Sequence, residues 1–446
     1  MKSVAFYTLG CKVNHYETEA MMDNFKNADY KVINFDQKAD IYIINSCTVT
    51  NQAASKSRKY ARRAKRRNND AKVIMVGCYP QVDKDEVEEV TEIDYILGTS
   101  GKGNIVNLVE EKLGIQNNIK LLKDNKEYAT LSEFEEMNID DLTETTRAYI
   151  KIQEGCNQFC SYCIIPYARG SLRSRKPKNI IKEIKNLVNN HGVKEVVLTG
   201  IHLGAYGIED NNQYALTELI EKLTLIKSLK RIRLSSIEVT EVNDKLLNLI
   251  KTNKKVCSHL HIPLQSGSNK ILKKMNRPYT VEEFKNKVKE FRKNISDLAI
   301  TTDVIVGFPK ESIKEFRESY NFIKEIGFSR LHVFPFSRRK NTPAYDMKPK
   351  VKGNIKTKNA KRLRLLNKRL MYEYNSQYIG KTKKIIVENN KDQKTGLYTG
   401  YTDNYIKVLV DAKPEDIEKI KKVKITRCNS YDTVIGNILK KEDFNG

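Results

Sequence analysis

Short apolar runs separated by longer, periodic stretches set the pattern of the first 143 residues. Each run has the length of a buried strand, and the stretches between the runs carry apolar residues at helical spacing. Such alternation is typical of an open, largely parallel α/β sheet. A polar, acidic stretch at Glu133–Glu144 follows and predicts a connector. The four predicted strands are Val4–Leu9, Asp40–Asn45, Lys72–Gly77 and Tyr95–Gly98.

The same alternation occurs six times between residues 144 and 375. Six strand–helix units are too few for a complete eight-stranded barrel, so they predict a partial (β/α)6 barrel with one open side. Ligands in such folds bind at the carboxyl ends of the strands. The predicted strands are Ala148–Gln153, Glu195–Gly200, Arg231–Ser236, His259–Leu264, Thr302–Gly307 and Arg330–Phe336. The predicted helices are Ile180–Asn190, Leu216–Leu225, Lys245–Lys251, Val281–Lys293 and Lys314–Ile326.

The last part of the chain changes to short strands separated by Gly, Asn and Asp turns. Five such strands in a small basic unit predict a β-barrel of the kind that binds RNA. A basic amphipathic helix at Lys361–Leu370 precedes it and is expected to pack against the partial barrel. The predicted strands are Lys384–Glu388, Leu397–Tyr401, Ile406–Asp411, Lys422–Thr426 and Val434–Leu439. We therefore predict three domains, at residues 1–143, 144–375 and 376–446.

The charge of the chain points to a polyanionic partner. Lysine and arginine number 80 against 55 aspartate and glutamate residues, a net charge of +25. A low-GC genome, which encodes lysine and asparagine freely, would give a similar excess. The distribution is more informative, because residues 351–446 hold 22 basic and 11 acidic residues. This concentration in the predicted terminal barrel favours RNA as the partner.

The apolar runs and the cysteines also bear on location. No run of eighteen apolar residues occurs, so no membrane span or membrane partner is expected. The N-terminus, MKSVAFYTLGCKVN, is too short and too polar for a secretory signal. Clustered, unpaired thiols predict a reducing, cytoplasmic location.

Three cysteines, Cys156, Cys160 and Cys163, follow the first predicted barrel strand with the spacing Cys-x3-Cys-x2-Cys. Three thiolates in one loop can hold a [4Fe–4S] cluster by three of its irons, which leaves the fourth iron open to a substrate. The alternative is a structural zinc site, but zinc usually takes four ligands, and the neighbouring sequence supplies neither a fourth cysteine nor a histidine.

Three further cysteines, Cys11, Cys47 and Cys78, each follow a predicted strand of the first domain. Because the ends of parallel strands open on one edge of a sheet, these thiols are expected to converge on a second three-thiolate cluster site. The alternative is three unrelated buried cysteines, since free cysteine is commonly buried. Cys257 and Cys428 have no cysteine neighbour in sequence and are predicted to be structural.

These motifs together resemble the methylthiotransferase family of radical S-adenosylmethionine (SAM) enzymes. The resemblance is carried by TLGCKVNHYETE at Thr8–Glu19, NSCTVT at Asn45–Thr50, Gly77-Cys78 and the Cys-x3-Cys-x2-Cys loop. The terminal barrel resembles the TRAM type. Within the family, CIIPYARG at Cys163–Gly170 and SLRSR at Ser171–Arg175 are similar to the branch that acts on N6-threonylcarbamoyladenosine, at position 37 beside the tRNA anticodon.

The resemblance implies two [4Fe–4S] clusters with different tasks. The cluster on Cys156, Cys160 and Cys163 would bind and cleave SAM, so that a deoxyadenosyl radical removes the hydrogen from carbon 2 of the adenine. The cluster on Cys11, Cys47 and Cys78 would carry the sulfur, which a second SAM methylates. Such cofactors supply the difficult chemistry, so no acid–base triad is expected from the protein. The electron donor and the sulfur donor stay unidentified.

Other residues are candidates for cofactor and RNA contacts. The histidines His202, His261 and His332 are expected to be hydrogen-bonded and to bind no metal. Arginine and lysine side chains beside the cluster loop are predicted to contact RNA phosphates, as is the basic run at residues 57–67, for which a solvated helix face is an equal alternative. The predicted SAM contacts are Tyr162, Thr199, Gly200, Ser235, Glu238, Gln265 and Asp303. The predicted RNA contacts are Arg169, Arg173, Arg175 and Lys176.

The terminal barrel and the anticodon loop complete the functional prediction. Unpaired bases of an anticodon loop can be splayed into a pocket, and deletion after Tyr378 is expected to weaken tRNA binding while sparing SAM cleavage. Two alternative substrates are prenylated adenosine in tRNA and an aspartate of a ribosomal protein. An alternative of another class is a nucleic-acid-binding iron–sulfur redox sensor.

Overall fold

The computed structural model describes residues 1–113, 133–142 and 146–439. Its N-terminal residues form a five-stranded parallel sheet in the order β2-β1-β3-β4-β5. The sequence pattern missed β2, which has three partly exposed residues at the sheet edge. The strands are β1 Ser3–Thr8, β2 Lys31–Ile33, β3 Ile41–Ser46, β4 Lys72–Gly77 and β5 Tyr95–Leu97. The helices are α1 Lys12–Asn27, α2 Asn51–Arg67, α3 Cys78–Val82, α4 Lys84–Glu88 and α5 Ile105–Leu113.

The central part has six parallel strands in sequential order, which confirms the predicted partial barrel. Two three-stranded halves, β6-β9-β10 and β11-β12-β13, meet through parallel bridges from Ile232 to Val256 and from Ser236 to His261. A short antiparallel pair, β7-β8, encloses the cluster loop. The strands are β6 Arg147–Lys151, β7 Gln153–Glu154, β8 Arg173–Ser174, β9 Glu195–Thr199, β10 Arg231–Leu234, β11 His259–His261, β12 Ala299–Val306 and β13 Arg330–Pro335. The helices are α6 Ile165–Arg169, α7 Pro177–Asn190, α8 Ala215–Thr224, α9 Asp244–Thr252, α10 Asn269–Lys274, α11 Val281–Asn294 and α12 Ile313–Ile326.

Strand alternation gives this barrel an apolar outside and a polar lumen. On β12, Ile300, Val304 and Val306 join the apolar core under the helices, so Thr301 and Asp303 point the other way. The same alternation places basic, hydroxyl and imidazole side chains of the other strands inside. A polar lumen can bind a polar substrate, which an apolar barrel core could not.

The C-terminal residues form a closed barrel, as predicted, in the order β14-β15-β16-β18-β17. The long helix α13, Gly353–Ser376, precedes it and packs against β13 and α12 of the central barrel, which confirms the position expected for the basic helix. The strands are β14 Thr382–Lys391, β15 Tyr398–Tyr401, β16 Lys407–Val410, β17 Ile420–Cys428 and β18 Val434–Ile438.

This terminal barrel closes the amino-terminal end of the central barrel. Arg231 donates to the carbonyls of Tyr401 (2.7 Å) and Lys384 (2.6 Å). Arg233 donates to those of Asp403 (2.9 Å) and Thr402 (3.0 Å). These contacts argue against a freely removable RNA-binding module, because deletion after Tyr378 would uncover buried arginines of the lumen.

The predicted domain boundary at residues 143 and 144 lies outside the described residues, as do residues 440–446. Of the predicted connector, the structure describes residues 133–142. Among the described residues, no helix combines the length and the apolar character that crossing a membrane requires.

Candidate functional site

The three N-terminal cysteines meet at one edge of the first sheet. Cys11 follows β1 and begins α1, Cys47 follows β3, and Cys78 follows β4. The strand order changes direction between β1 and β3, and ligands of open α/β sheets bind at such a point. Gly10 has φ +109°, and a Cβ there would lie 2.8 Å from the Cys47 Cβ. The tight turn therefore brings the first two cysteines together.

The second trio lies in the loop between β7 and α6, at the carboxyl end of the barrel. Gly155 has φ +74°, and a Cβ on it would lie 1.8 Å from the Ser171 carbonyl oxygen, so only glycine allows this close packing. The Cys156 amide donates to the Gly170 carbonyl (3.0 Å) and the Ser161 amide to the Met275 carbonyl (3.0 Å). These backbone bonds fix the conformation of the loop.

The spacing of the sulfurs in both trios does not match a single tetrahedral ion. Tetrahedral zinc, with Zn–S bonds of about 2.3 Å, brings its thiolates to about 3.8 Å of one another. Among the described residues, neither trio has all its sulfurs within 4.8 Å of each other. A cluster that gives each thiolate its own iron holds the sulfurs farther apart. Burial, and then the neighbouring thiols, raise the pKa of Cys47 and of Cys163 to about 12, which metal coordination would reverse.

Arg169 joins the two trios. It ends α6, which follows Cys163, and α6 packs against α3, which begins with Cys78. The fully buried Arg169 guanidinium donates from Nε to the Cys78 Sγ (3.3 Å) and from Nη2 to the Asn14 Oδ1 (2.7 Å). The prediction that Arg169 contacts RNA phosphates is therefore wrong, because the side chain lies inside the protein.

A buried ion network surrounds Arg169 and carries more positive than negative charge. Glu17 accepts from Arg169, Lys102 and Lys151. Glu154 accepts from Arg169, Lys151 and Arg173. Burial alone would raise the pKa of Glu17, but these cations hold it well below its usual value. Four cations thus face two carboxylates, and the surplus suits an anionic group such as a thiolate-ligated cluster at Cys11, Cys47 and Cys78.

A second arginine serves the other trio. Arg277 donates from Nη1 to the Cys160 Sγ (3.3 Å), pairs with Glu238 and bonds to the Tyr279 hydroxyl. It is 9% exposed, so its charge acts on the sulfur with little screening by solvent. Sequence reasoning missed Arg277, because it lies more than a hundred residues from Cys160 in a loop without a motif.

The predicted SAM contacts have diverse surroundings. Ser235 directly follows β10. Its buried hydroxyl has no hydrogen-bond partner among the described residues, so it is free to bind a ligand. Glu238 is engaged by Arg277. Position 200 requires glycine, because a Cβ on Gly200 would lie 2.8 Å from the Gln153 Oε1. Thr199 and Gln265 lie at strand ends, with Gln265 at φ +62°.

The other two candidates, Tyr162 and Asp303, lie apart from these five. Tyr162 packs against the apolar cluster of Met275 and Phe308. Asp303 lies in the lumen, where its Oδ1 is 3.2 Å from the His261 Nε2. Seven predicted positions thus divide between the cluster loop, the strand ends and the lumen.

The histidines occupy two environments. His202 lies with Nδ1 3.7 Å from the Cys156 Sγ and pairs with Glu241. His261, Asp303 and His332 place their polar atoms within 4.8 Å of one another, a grouping that the sequence did not indicate.

The RNA-contact predictions need two further corrections. Arg175 is 1% exposed and pairs with Glu183 and Glu136, and Arg173 is 6% exposed and donates to the Arg169 carbonyl (2.9 Å). Both are structural because the loop folds inward against the ion network. Lys176 is exposed and stays a prediction.

The basic run on α2 is partly neutralised. Arg58, Arg62, Arg63, Lys65 and Arg67 pair with acidic side chains. Lys56, Lys59 and Arg66 stay exposed. A solvated, ion-paired helix face thus describes most of this run.

Comparison with known proteins gives three family matches. Residues 150–323 match the radical SAM superfamily, residues 3–98 match the uncharacterized protein family UPF0004, and residues 376–433 match the TRAM domain. The chain is 45% identical to the threonylcarbamoyladenosine tRNA methylthiotransferase MtaB of Bacillus subtilis, over 96% of this chain and 94% of that protein.

Two more comparisons extend this result. The MtaB protein of Aquifex aeolicus is 38% identical over 94% of this chain and 98% of its own length. The radical SAM methyltransferase TsrM of Kitasatospora setae, solved with tryptophan and a SAM analogue, superposes with a TM-score of 0.58 at 14% identity, covering 77% of this chain and 75% of that one. This likeness concerns the fold alone.

Proposed function

Since the chain belongs to the methylthiotransferases of the radical SAM superfamily, and among them to the MtaB type, we propose that its two cysteine trios hold two separate [4Fe–4S] clusters. It is a radical SAM enzyme that methylthiolates threonylcarbamoyladenosine in tRNA. SAM and an iron–sulfur cluster are its cofactors. The assignment of a cluster to each trio, and the residues around them, are the proposal.

Each trio has its own task in this proposal. When bound, the cluster at Cys156, Cys160 and Cys163 would supply reductive cleavage of SAM, and the one at Cys11, Cys47 and Cys78 would carry the sulfur. Arg277 and Arg169 each donate a charge-assisted hydrogen bond to a cysteine sulfur, Arg277 to Cys160 and Arg169 to Cys78.

The observation that carries the proposal is the reach of Arg169 from one trio to the other. The chain runs directly from Cys163 into α6, and the last residue of that helix contacts the Cys78 Sγ. A buried arginine needs compensating anions, and Glu17 and Glu154 together balance only part of the network. An anionic cluster at Cys11, Cys47 and Cys78 would supply the remainder. The same contact holds the two cysteine trios in a fixed position relative to each other, as a two-step transfer requires.

Partners and location follow from the same argument. The tRNA is the substrate, and its anticodon loop would approach the open lumen, with Lys176 and the exposed lysines of α2 as phosphate contacts. A SAM site is proposed at the strand ends that carry Thr199, Ser235 and Gln265. A low-potential electron donor and a sulfur donor are required as further partners. Eight free cysteines suit the reducing cytoplasm.

Iron content of trio variants tests the two-cluster assignment. The wild-type chain, reconstituted anaerobically, should hold about eight irons. Replacing Cys11, Cys47 and Cys78 together by serine should leave about four irons and retain SAM cleavage. Replacing Cys156, Cys160 and Cys163 should also leave about four but abolish cleavage. Only the wild type should form the methylthio product, as nucleoside mass spectrometry would detect.

Cys428→Ser is the matched control, because this cysteine lies in the terminal barrel and should not change the iron content. Zinc in the wild type, or eight irons in the variant without Cys11, Cys47 and Cys78, would refute the assignment.

A further inference from the structure

One lysine beside the lumen of the central barrel, Lys12, forms no hydrogen bond or ion pair among the described residues. Lys12 follows Cys11 on α1, which packs against β6 of the central barrel, and the charges of Arg233, Arg147, Glu195 and Asp303 are near enough to act on its ammonium group. Among the described residues, its Nζ has no hydrogen-bond or salt-bridge partner. A partly buried cation without a partner costs free energy that an anionic ligand would recover.

The carboxylates near Lys12 are already engaged by other side chains. Glu195 lies within 4.0 Å of three guanidinium groups, those of Arg147 (3.3 Å), Arg231 (3.6 Å) and Arg233 (3.0 Å). This carboxylate therefore has little capacity left for Lys12. The floor of the lumen carries a surplus of positive charge, which favours an anion above it.

Asp303 is held by a chain of hydrogen bonds across the strands. The Thr301 hydroxyl lies 3.0 Å from the His259 Nε2 and 2.8 Å from the His261 Nδ1. If His261 donates from Nε2 to Asp303, its Nδ1 accepts from Thr301, and Thr301 accepts from His259. The His259 Nδ1 is then an unprotonated acceptor, and it has no hydrogen-bond partner among the described residues.

His332 stands beside this chain and faces the open side. It is the register partner of Asp303 on the neighbouring strand and is exposed. Phe334, two residues on, is 42% exposed and lies on the same face of β13. The mouth of the lumen thus offers a cation, a carboxylate, an imidazole and an aromatic face, close to the exposed Cys11.

The chemistry of the substrate fits this arrangement. The threonylcarbamoyl substituent ends in a carboxylate and also carries a hydroxyl and carbamoyl groups, whereas a prenyl substituent is wholly apolar. We infer that Lys12 binds the carboxylate of the threonylcarbamoyl group and that Asp303 and His332 bind its hydroxyl and carbamoyl groups. This pocket selects threonylcarbamoyladenosine over unmodified adenosine. The inference rests on the proposed function, because it needs the modified base between the two trios.

The test measures RNA binding without turnover. The reconstituted full chain, without reductant, is titrated with a fluorescent anticodon stem-loop RNA that carries threonylcarbamoyladenosine, its methyl ester or unmodified adenosine. Wild type should prefer the acid over the ester by about tenfold, the factor expected for one charge-assisted contact. Lys12→Met should bind the acid and the ester alike, and Lys12→Arg should retain the preference for the acid. Lys31→Met, on the exposed edge strand β2, should behave as wild type.

Several outcomes separate the possible failures. Iron content is measured for each variant, because Lys12 adjoins Cys11. If Lys12→Met loses iron, the inference is decided by the affinities of the wild-type protein for the acid RNA and for the ester RNA. Equal binding of acid and ester by wild type, or an unchanged preference in Lys12→Met, overturns the inference while the proposed function stands. A wild type that forms no methylthio product on the acid RNA overturns the proposed function itself.

Discussion

Replacing Arg175 by methionine separates a structural arginine from an RNA-binding one. Its guanidinium lies 2.8 Å from Glu136, 2.7 Å from Asn138 and 3.3 Å from the Tyr16 hydroxyl, and it pairs with the buried Glu183. It thereby joins the first domain, the connector and the central barrel. Removing one partner of a buried ion pair costs about 3–5 kcal/mol, because the other charge stays behind.

The expected cost is at the lower end of this range. Glu183 also accepts from the Ile139 amide (2.8 Å) and the Tyr16 hydroxyl (3.1 Å). Burial already raises its pKa, so that without Arg175 it can take up a proton instead of staying charged. We expect Arg175→Met to destabilise the protein by about 3 kcal/mol, and the double variant Arg175→Met/Glu183→Leu to recover part of that loss.

Thermal unfolding of the reconstituted protein, followed by circular dichroism, measures this effect. The neighbouring exposed residue supplies the control. Lys176→Met should leave the unfolding temperature unchanged and reduce the slope of log K against log salt for tRNA binding by about one. The reasoning fails if Arg175→Met unfolds like the wild type yet lowers that salt slope, because Arg175 would then be contacting phosphate.

Two further predictions follow from local geometry. Burial, then Asp23 and Glu183, raise the pKa of Glu19 from 4.5 to about 7, so folded stability should fall as pH rises from 4.5 to 7 and stay low above it. Glu19→Gln should remove this fall and stabilise the protein at pH 8 by up to about 3 kcal/mol, with no gain at pH 4. Melting temperatures of the variant and the wild type at pH 4 and pH 8 test this prediction. An equal change at the two pH values would contradict it. Gly155→Ala should drive a Cβ into the Ser171 carbonyl and leave about four irons per chain, whereas Gly192→Ala, at φ +71° with no atom within 4 Å, should keep about eight.

The strands were predictable because burial dictates them locally. Every predicted strand of the central and terminal barrels overlaps an observed one, since β-branched and apolar residues between polar turns leave few alternatives. The edge strand β2 escaped because three half-exposed residues carry no period. The convergence of Cys11, Cys47 and Cys78 was predictable for the same reason, as parallel strands bring their ends to one edge.

The role of a charged side chain was less predictable, because it depends on what the fold places opposite it. Arg169, Arg173, Arg175 and Lys176 lie within eight residues, and their spacing gives no sign that three point inward and one outward. Of their partners, Glu17 lies 152 residues from Arg169, and Glu136 lies 39 residues from Arg175. A basic run next to a cluster loop can therefore either bind RNA or form ion pairs inside the protein. Only the positions of the carboxylates in the fold distinguish the two roles.

The same dependence explains why Lys12 drew no notice in the sequence. In a TLGCKVN motif it is one of many lysines, and its neighbour Cys11 is the obvious ligand. Its significance arises because the terminal barrel occupies Arg231 and Arg233 with backbone carbonyls and closes the lumen behind them. With the floor closed and Glu195 shared among three arginines, an anion can reach Lys12 only from the open side, between the two cysteine trios. In the proposed recognition of the threonylcarbamoyl group, the terminal barrel thus acts by closing the floor of the lumen.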